Sequence, residues 1–177
     1  MSIRPIVTVP DPVLREKAKP VRKITPEIQN LIDDMIETMR QAPGVGLAAP
    51  QVGVGMQVMV VEYAEGSENA DADAEPKPKK LYTLVNPKIS RHSKETELGK
   101  EGCLSIPDYM GEVERYGTVT VKSLDRHGKS FKLKARGWLA RIFQHEIDHL
   151  NGVLFIDRTE NVWKVEPEEA QEASETV

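Results

Sequence analysis

The residues best suited to chemistry in this chain are His145-Glu146-Ile147-Asp148-His149. On a helix, side chains four residues apart lie on one face, so both imidazoles can reach a single divalent cation. Glu146 is rotated about a quarter-turn away, close enough to exchange a proton with water held at that ion but poorly placed to ligate it. The spacing proposes a hydrolase. The pattern is short, and a surface helix can carry it without a metal. The preceding segment, Gly137-Trp138-Leu139-Ala140-Arg141-Ile142-Phe143-Gln144, has no helix breaker after Gly137 and repeats its apolar residues at helical spacing. Trp138, Ile142, His145 and His149 fall on or near one face, so the histidines continue an apolar stripe, where unligated imidazoles would be costly to bury. Arg141, beside that stripe, is expected at a pocket rim or in solvent.

Two histidines leave a catalytic metal one protein ligand short. Cys103, the only cysteine, lies in Glu101-Gly102-Cys103-Leu104-Ser105 and is the candidate third donor. A lone cysteine is more often a small buried hydrophobe, so the assignment needs context. A third segment, Gly44-Val45-Gly46-Leu47-Ala48-Ala49-Pro50-Gln51-Val52-Gly53, is rich in glycine and alanine and carries a polar amide. It lacks the Gly-Lys-Ser/Thr ending of a phosphate loop and the dinucleotide spacing.

In this order, GVGLAAPQ, EGCLS and QHEIDHLNG resemble the three motifs of the peptide deformylases, and the resemblance runs from about Ile6 to Phe155, beginning at Pro10-Asp11-Pro12-Val13-Leu14-Arg15. It implies an α+β fold: one domain, with antiparallel strands packed around a central helix that carries the histidines. It implies that Cys103, His145 and His149 hold one metal, that Glu146 is the general acid and base, and that Gln51 and the backbone N–H of Leu104 bind the oxyanion. It further implies a methionine pocket lined by Val45, the stretch from Glu101 through Gly102, and Trp138 and Ile142. Main-chain groups of Gly46 and the Gly102 region would pair with an extended substrate, as an added strand does. The implied substrate is the N-terminal formyl-methionyl group of newly made polypeptides, released as formate by a metallo-amidohydrolase acting on a linear amide. The implied ion is Fe(2+), with nickel, cobalt or zinc as substitutes.

Elementary chemistry agrees with these roles. Formamide hydrolysis needs a nucleophile at neutral pH, and a metal can lower the pKa of bound water from 15.7 to about 7. A glutamate that takes up the proton and passes it to the departing amine is worth about 10²–10⁴ in rate. Two imidazoles and a thiolate suit zinc, iron, cobalt or nickel, and raw affinity favours zinc over ferrous iron. Two other readings stay open: a different metallohydrolase sharing the helix motif, such as a peptidase or amidase, and a non-catalytic metal-binding protein.

With 177 residues, 39% of them hydrophobic, the chain is long enough for one domain with a substantial core. A single cysteine excludes an internal disulfide framework and fits a reducing cytoplasm. No apolar run approaches a membrane span, and the first residues lack the apolar core of a signal peptide. A net charge of −4 argues against general or sequence-specific nucleic-acid binding but leaves room for a local basic patch that docks on ribosomes.

The catalytic domain is expected over residues 1–160. Thr25 and Pro26 read as N-cap and first residue of a helix whose Ile28, Leu31, Ile32, Met35 and Met39 form one face, stopped near Pro43-Gly44. Strands are expected over Gln57–Glu62, Leu81–Ser90, Val113–Leu124 and Ser130–Ala135, the last two joined at Asp125-Arg126-His127-Gly128. Residues 64–80 read as a mobile acidic and Pro-Lys loop, and 161–177 as an acidic, flexible tail. His92 and His127 read as exposed turn residues.

Overall fold

The computed structural model describes residues 1–67 and 75–166. Helix α1 spans Pro26–Gln41, with the Thr25 hydroxyl accepting from the Ile28 N–H and Pro26 in the first turn. Its buried face, Ile28, Leu31, Ile32, Met35, Ile36 and Met39, packs with Leu47, Val58, Val60 and Val85 into one apolar cluster. Asp34 and Thr38, also buried on α1, accept hydrogen bonds from Ser2 N and Arg4 N and so fasten the N-terminal segment to the helix.

Strands β1 (Gly46–Ala48), β2 (Val58–Tyr63), β3 (Lys80–His92), β6 (Thr118–Leu124) and β7 (Ser130–Arg136) form an antiparallel sheet in the order β1-β2-β3-β6-β7. A second antiparallel sheet has the order β4-β5-β8, from Thr96–Cys103, Ile106–Tyr116 and Val162–Lys164. The α+β expectation holds. The expected strand over Val113–Leu124 is instead two: Gly117 interrupts it, and its halves belong to different sheets. β4 has no counterpart in the sequence expectation, because Gly99, Gly102 and the charged residues around them dilute its apolar signal.

Helix α2 (Gly137–Leu150) runs through the middle of the molecule, every residue from Leu139 onward buried. It follows β7 directly, and the joint at Gly137 has φ +56, a conformation that glycine adopts without steric penalty. One side joins Met59, Val61, Leu84, Val119, Val121 and Ala135 of the larger sheet in the principal core cluster. The other side meets the β4-β5 sheet through polar contacts described below.

The folded body extends past residue 160. β8 pairs with β5, and Asn161 Nδ2 donates to Glu112, so the first residues of the expected tail are part of the smaller sheet. The rest of that expected tail, 167–177, and residues 68–74 of the expected loop lie outside the described residues. His127 sits in the β6-β7 turn, where Asp125 accepts from the N–H groups of His127 and Lys129. His92 is exposed and stacks on Tyr116.

Candidate metal centre and active site

Three elements converge on one buried spot. α2 supplies His145 and His149, the end of β4 supplies Cys103, and the 3-10 turn after β1 (Ala49–Val52) supplies Gln51. The donor atoms of Cys103, His145 and His149 all lie within 4.8 Å of one another, and Cys103 Sγ is 3.3 Å from His149 Nε2. The sequence-expected ligand set is therefore brought together, although its members lie 46 residues apart at most.

The two histidines have different surroundings. His145 Nδ1 is 2.8 Å from Glu101 Oε1. Glu101 is wholly buried, and burial alone would favour its neutral form; hydrogen bonds from Arg115 and His145 hold it well below the usual carboxylate range. An ionised carboxylate only accepts, so His145 Nδ1 is the donor and Nε2 is the nitrogen left for a metal. His149 Nδ1, by contrast, is buried without a partner among the described residues. Burial lowers the affinity of both imidazoles for a proton, but contacts with Cys103 and Glu101 carry His145 well above its ordinary value, while the charge of His145 pushes His149 further down.

Glu101 is the hub of a buried ionic network. Arg115 grips it through Nε and Nη2 at 2.9 and 2.8 Å, and Arg141 Nη1 donates to it at 2.7 Å. Arg115 also donates to Asp148 at 2.6 Å, and Asp148 is held by Arg158 through two further bonds. Gly99 is required here, since a Cβ at that position would fall 2.7 Å from the Arg141 guanidinium carbon. The resemblance places Glu101 at the substrate pocket, but its side chain is turned inward and fully engaged. Arg141 is likewise neither at a rim nor in solvent: it is buried and also donates to the carbonyls of Val113 and Glu97. Arg115, Asp148 and Ser105 are absent from the sequence-derived site. A charged residue within a buried helical stripe, Arg141 one turn before His145, was the available signal for this network.

Glu146 faces the other way. Its Oε2 is buried without a partner among the described residues, and burial pushes its carboxyl up to about 7, the neighbouring His145 and Glu101 acting in opposite directions. The carboxylate has room only because residue 46 is glycine: a Cβ there would stand 2.4 Å from Glu146 Oε1. Gln51 Oε1 accepts from Ala48 N at 2.9 Å, which orients the amide so that Nε2 points to Ser105 Oγ at 3.3 Å and Cys103 Sγ at 3.6 Å. Leu104 and Ser105 form the connection between β4 and β5, after a register shift between Gly102 and Cys103, and stand outside the ladder.

Val45, Ile142 and Trp138 meet in the principal core cluster; Ile142 is fully buried and Trp138 partly so, with Arg141 over its ring. β1 and β4 are each the edge of their sheet; Leu104, just after β4, packs against the cluster that holds Leu47 of β1, and its Cδ1 would be 3.0 Å from a Cβ on Gly44. Two imidazoles and a sulfur, close together and buried, with His149 Nδ1 and Glu146 Oε2 unpartnered, fit a divalent ion of borderline softness.

Residues 3–164 match the family model for polypeptide deformylases. The chain belongs to the peptide deformylase family. The peptide deformylase of Rhizobium meliloti (strain 1021) is 49% identical over 157 residues, covering 89% of this chain and 85% of that protein. The crystal structure of the Ehrlichia chaffeensis peptide deformylase matches with a TM-score of 0.80 at 39% identity, covering 98% of this chain and 93% of that one. A Met-Ala-Ser-bound crystal structure of the class I type b peptide deformylase of Acinetobacter baumannii gives 0.81 at 38% identity, covering 90% and 100%. These matches separate the deformylases from other metallohydrolases with the same helix motif.

Proposed function

We propose that the chain is a cytoplasmic, iron-dependent deformylase that hydrolyses the N-terminal formyl group of formyl-methionyl polypeptides and releases formate. The observation that carries the reading is the junction of Cys103, His145 and His149 with Glu146, whose buried Oε2 has no partner among the described residues, in a member of the deformylase family. Cys103, His145 and His149 would hold the ion, which supplies water that ionises near neutral pH and polarises the formyl oxygen.

The other steps fall to residues of the chain. Glu146, with a carboxyl near 7, is suited both to accept the proton of the attacking water and to return it to the leaving amine. The Gln51 amide, fixed by its bond from Ala48 N, and the Leu104 N–H are the donors for the oxygen of the tetrahedral species. Losing one such donor typically lowers turnover by about 10²–10³. Gly46 on edge strand β1 and Gly102 on edge strand β4 offer main-chain groups to an extended peptide, and Val45, Trp138 and Ile142 give the apolar surroundings for its methionine side chain. The Acinetobacter relative's bound Met-Ala-Ser is of the kind expected here as product.

Iron is assigned through the family resemblance, since the donor set also suits zinc, nickel and cobalt. A ferrous thiolate site is expected to lose activity in air as metal and sulfur oxidise. Among the described residues no helix is long and apolar enough to cross a membrane.

The test is parallel assay of anaerobically purified protein on a formyl-methionyl peptide, its acetyl counterpart and the unblocked peptide. Formate from the first, with no product from the others, is expected; cleavage of internal amides would establish a peptidase instead. Loading Fe(2+), Ni(2+), Co(2+) and Zn(2+) separately, with turnover per bound ion recorded, checks the metal.

A further inference from the structure

The amide of Gln51 carries two N–H groups on Nε2, and only one of them can point at the oxygen of the tetrahedral species. Its other atom is already held, since Oε1 accepts from Ala48 N at 2.9 Å. An amide held through its oxygen alone can still swing its NH2 group, because the torsion that ends a glutamine side chain is broad. A donor lowers the barrier without reorganisation only if it is aimed before substrate arrives. Gln51 therefore needs a second anchor, on the nitrogen.

Ser105 is placed to be that anchor. It is wholly buried, and a buried hydroxyl is costly unless it is bonded. Among the described residues its side-chain partner is Gln51, whose Nε2 donates to Ser105 Oγ at 3.3 Å. That is long for an N–H···O bond, as catalytic contacts often are before substrate is bound. Cys103 Sγ, 3.6 Å from the same nitrogen, marks the direction of the second N–H, toward the cluster of Cys103, His145 and His149. The backbones that carry the two side chains share one support. Val7 N donates to the Gln51 carbonyl at 2.8 Å and Val9 N to the Ser105 carbonyl at 2.9 Å, so the segment from Val7 to Val9 bridges the turn Ala49–Val52 and the β4-β5 connection. Gln51 and Ser105, 54 residues apart in sequence, are thus kept at a fixed separation.

We propose that Ser105 is a positioning residue for deformylation: its hydroxyl takes one N–H of Gln51 and so holds the other toward the oxygen of the tetrahedral species. The proposal rests on the reading of Gln51 as an oxyanion donor. That oxygen gains its charge only as the transition state forms, so the effect falls on kcat and leaves KM alone. A serine that merely filled space would act on stability to the same extent whether or not Gln51 is present. Ser105 acts through Gln51, and its effect should vanish with the Gln51 amide.

The experiment is a double-mutant cycle on the full, metal-loaded chain: parent, Ser105→Ala, Gln51→Ala and the double variant, with formate release from a formyl-methionyl peptide and bound metal recorded on each preparation. Gln51→Ala should lower kcat by about 10²–10³. Ser105→Ala, which loses one neutral hydrogen bond, should lower it about tenfold, with KM and metal content unchanged. Added to Gln51→Ala, the serine substitution should cost less than about a further twofold. Ser105→Thr, which keeps the hydroxyl, should restore most of the kcat per bound ion even where its added methyl lowers Tm. A second readout is independent of turnover: in zinc-loaded protein isotopically labelled at glutamine, the NMR signal of the Gln51 side-chain amide, identified by its loss in Gln51→Ala, should shift and exchange faster with solvent in Ser105→Ala. Losses that multiply in the double variant, a Ser105→Ala effect carried by KM or by lost metal, or an unmoved Gln51 signal would overturn the proposal while leaving Gln51 as the donor. Full turnover by Gln51→Ala would overturn the donor reading of Gln51 and this proposal with it.

Discussion

Two neighbouring stripes of α2 are built on opposite principles. On one, Arg141, Gln144, His145 and Asp148 are buried and held by hydrogen bonds: Gln144 exchanges two with the Tyr116 backbone, His145 Nδ1 donates to Glu101, and the charged groups form one chain from Arg141 through Glu101 and Arg115 to Asp148 and Arg158. One step round the helix, Glu146 and His149, which shares the metal-facing stripe with His145, each keep a buried polar atom without a partner among the described residues. Separated by a few ångströms, one side is satisfied and the other is not. The satisfied side fixes His145 in tautomer and direction. The unsatisfied side holds a carboxyl near neutrality, where it can gain or lose a proton at little cost. Position and reactivity are thus assigned to different side chains of one helix.

Breaking the reactive side should have the largest effect on turnover. Glu146→Ala is expected to lower kcat by about 10²–10⁴ or more, with bound metal retained, as steady-state kinetics and metal analysis of one preparation would record. On the satisfied side, Glu101→Gln leaves two buried arginines short of a charge. It should destabilise the fold by about 3–5 kcal/mol in denaturant titration and weaken metal binding by about 10–100-fold.

A pH series sharpens the contrast. The Glu146 carboxyl lies at about 7 in the folded metal-free protein against an ordinary 4.5, so the native state binds the extra proton between those values. Its contribution to stability is fully present below about pH 4.5 and is lost as pH rises through 7, a change of about 3 kcal/mol. Glu146→Gln should flatten that part of the stability profile and Arg115→Lys should not. Gly46→Ala, whose new methyl would collide with Glu146, should displace the carboxylate and lower kcat at least tenfold; the overpacking should cost about 1–3 kcal/mol of stability. The smallest effect belongs to Arg158→Ala at the solvent end of the chain, where the arginine is half exposed and the loss should be about 1 kcal/mol or less.

The reactive side was the more legible one in sequence. His145, Glu146 and His149 follow from helical spacing, and Cys103 from being the only thiol. Gln51 and Leu104 came only with the family resemblance. The satisfied side was hidden because its contacts are long-range: Glu101 meets His145 across 44 residues and Arg115 meets Asp148 across 33. No local pattern encodes those pairings, so Arg141 reads as a surface residue and Glu101 as a substrate contact. The same limit hid β4, whose strand character comes from pairing with β5, and let Val113–Leu124 read as one strand across the Gly117 break.

The most direct test measures bound metal and formate release on the same anaerobic preparations of the parent, Glu146→Gln and Glu101→Gln. Division of labour along α2 predicts that Glu146→Gln keeps its metal and loses nearly all turnover per bound ion, while Glu101→Gln loses metal but retains most turnover in the fraction still loaded. The reverse pattern, with Glu146→Gln active per ion or Glu101→Gln fully loaded and inactive, would contradict the account.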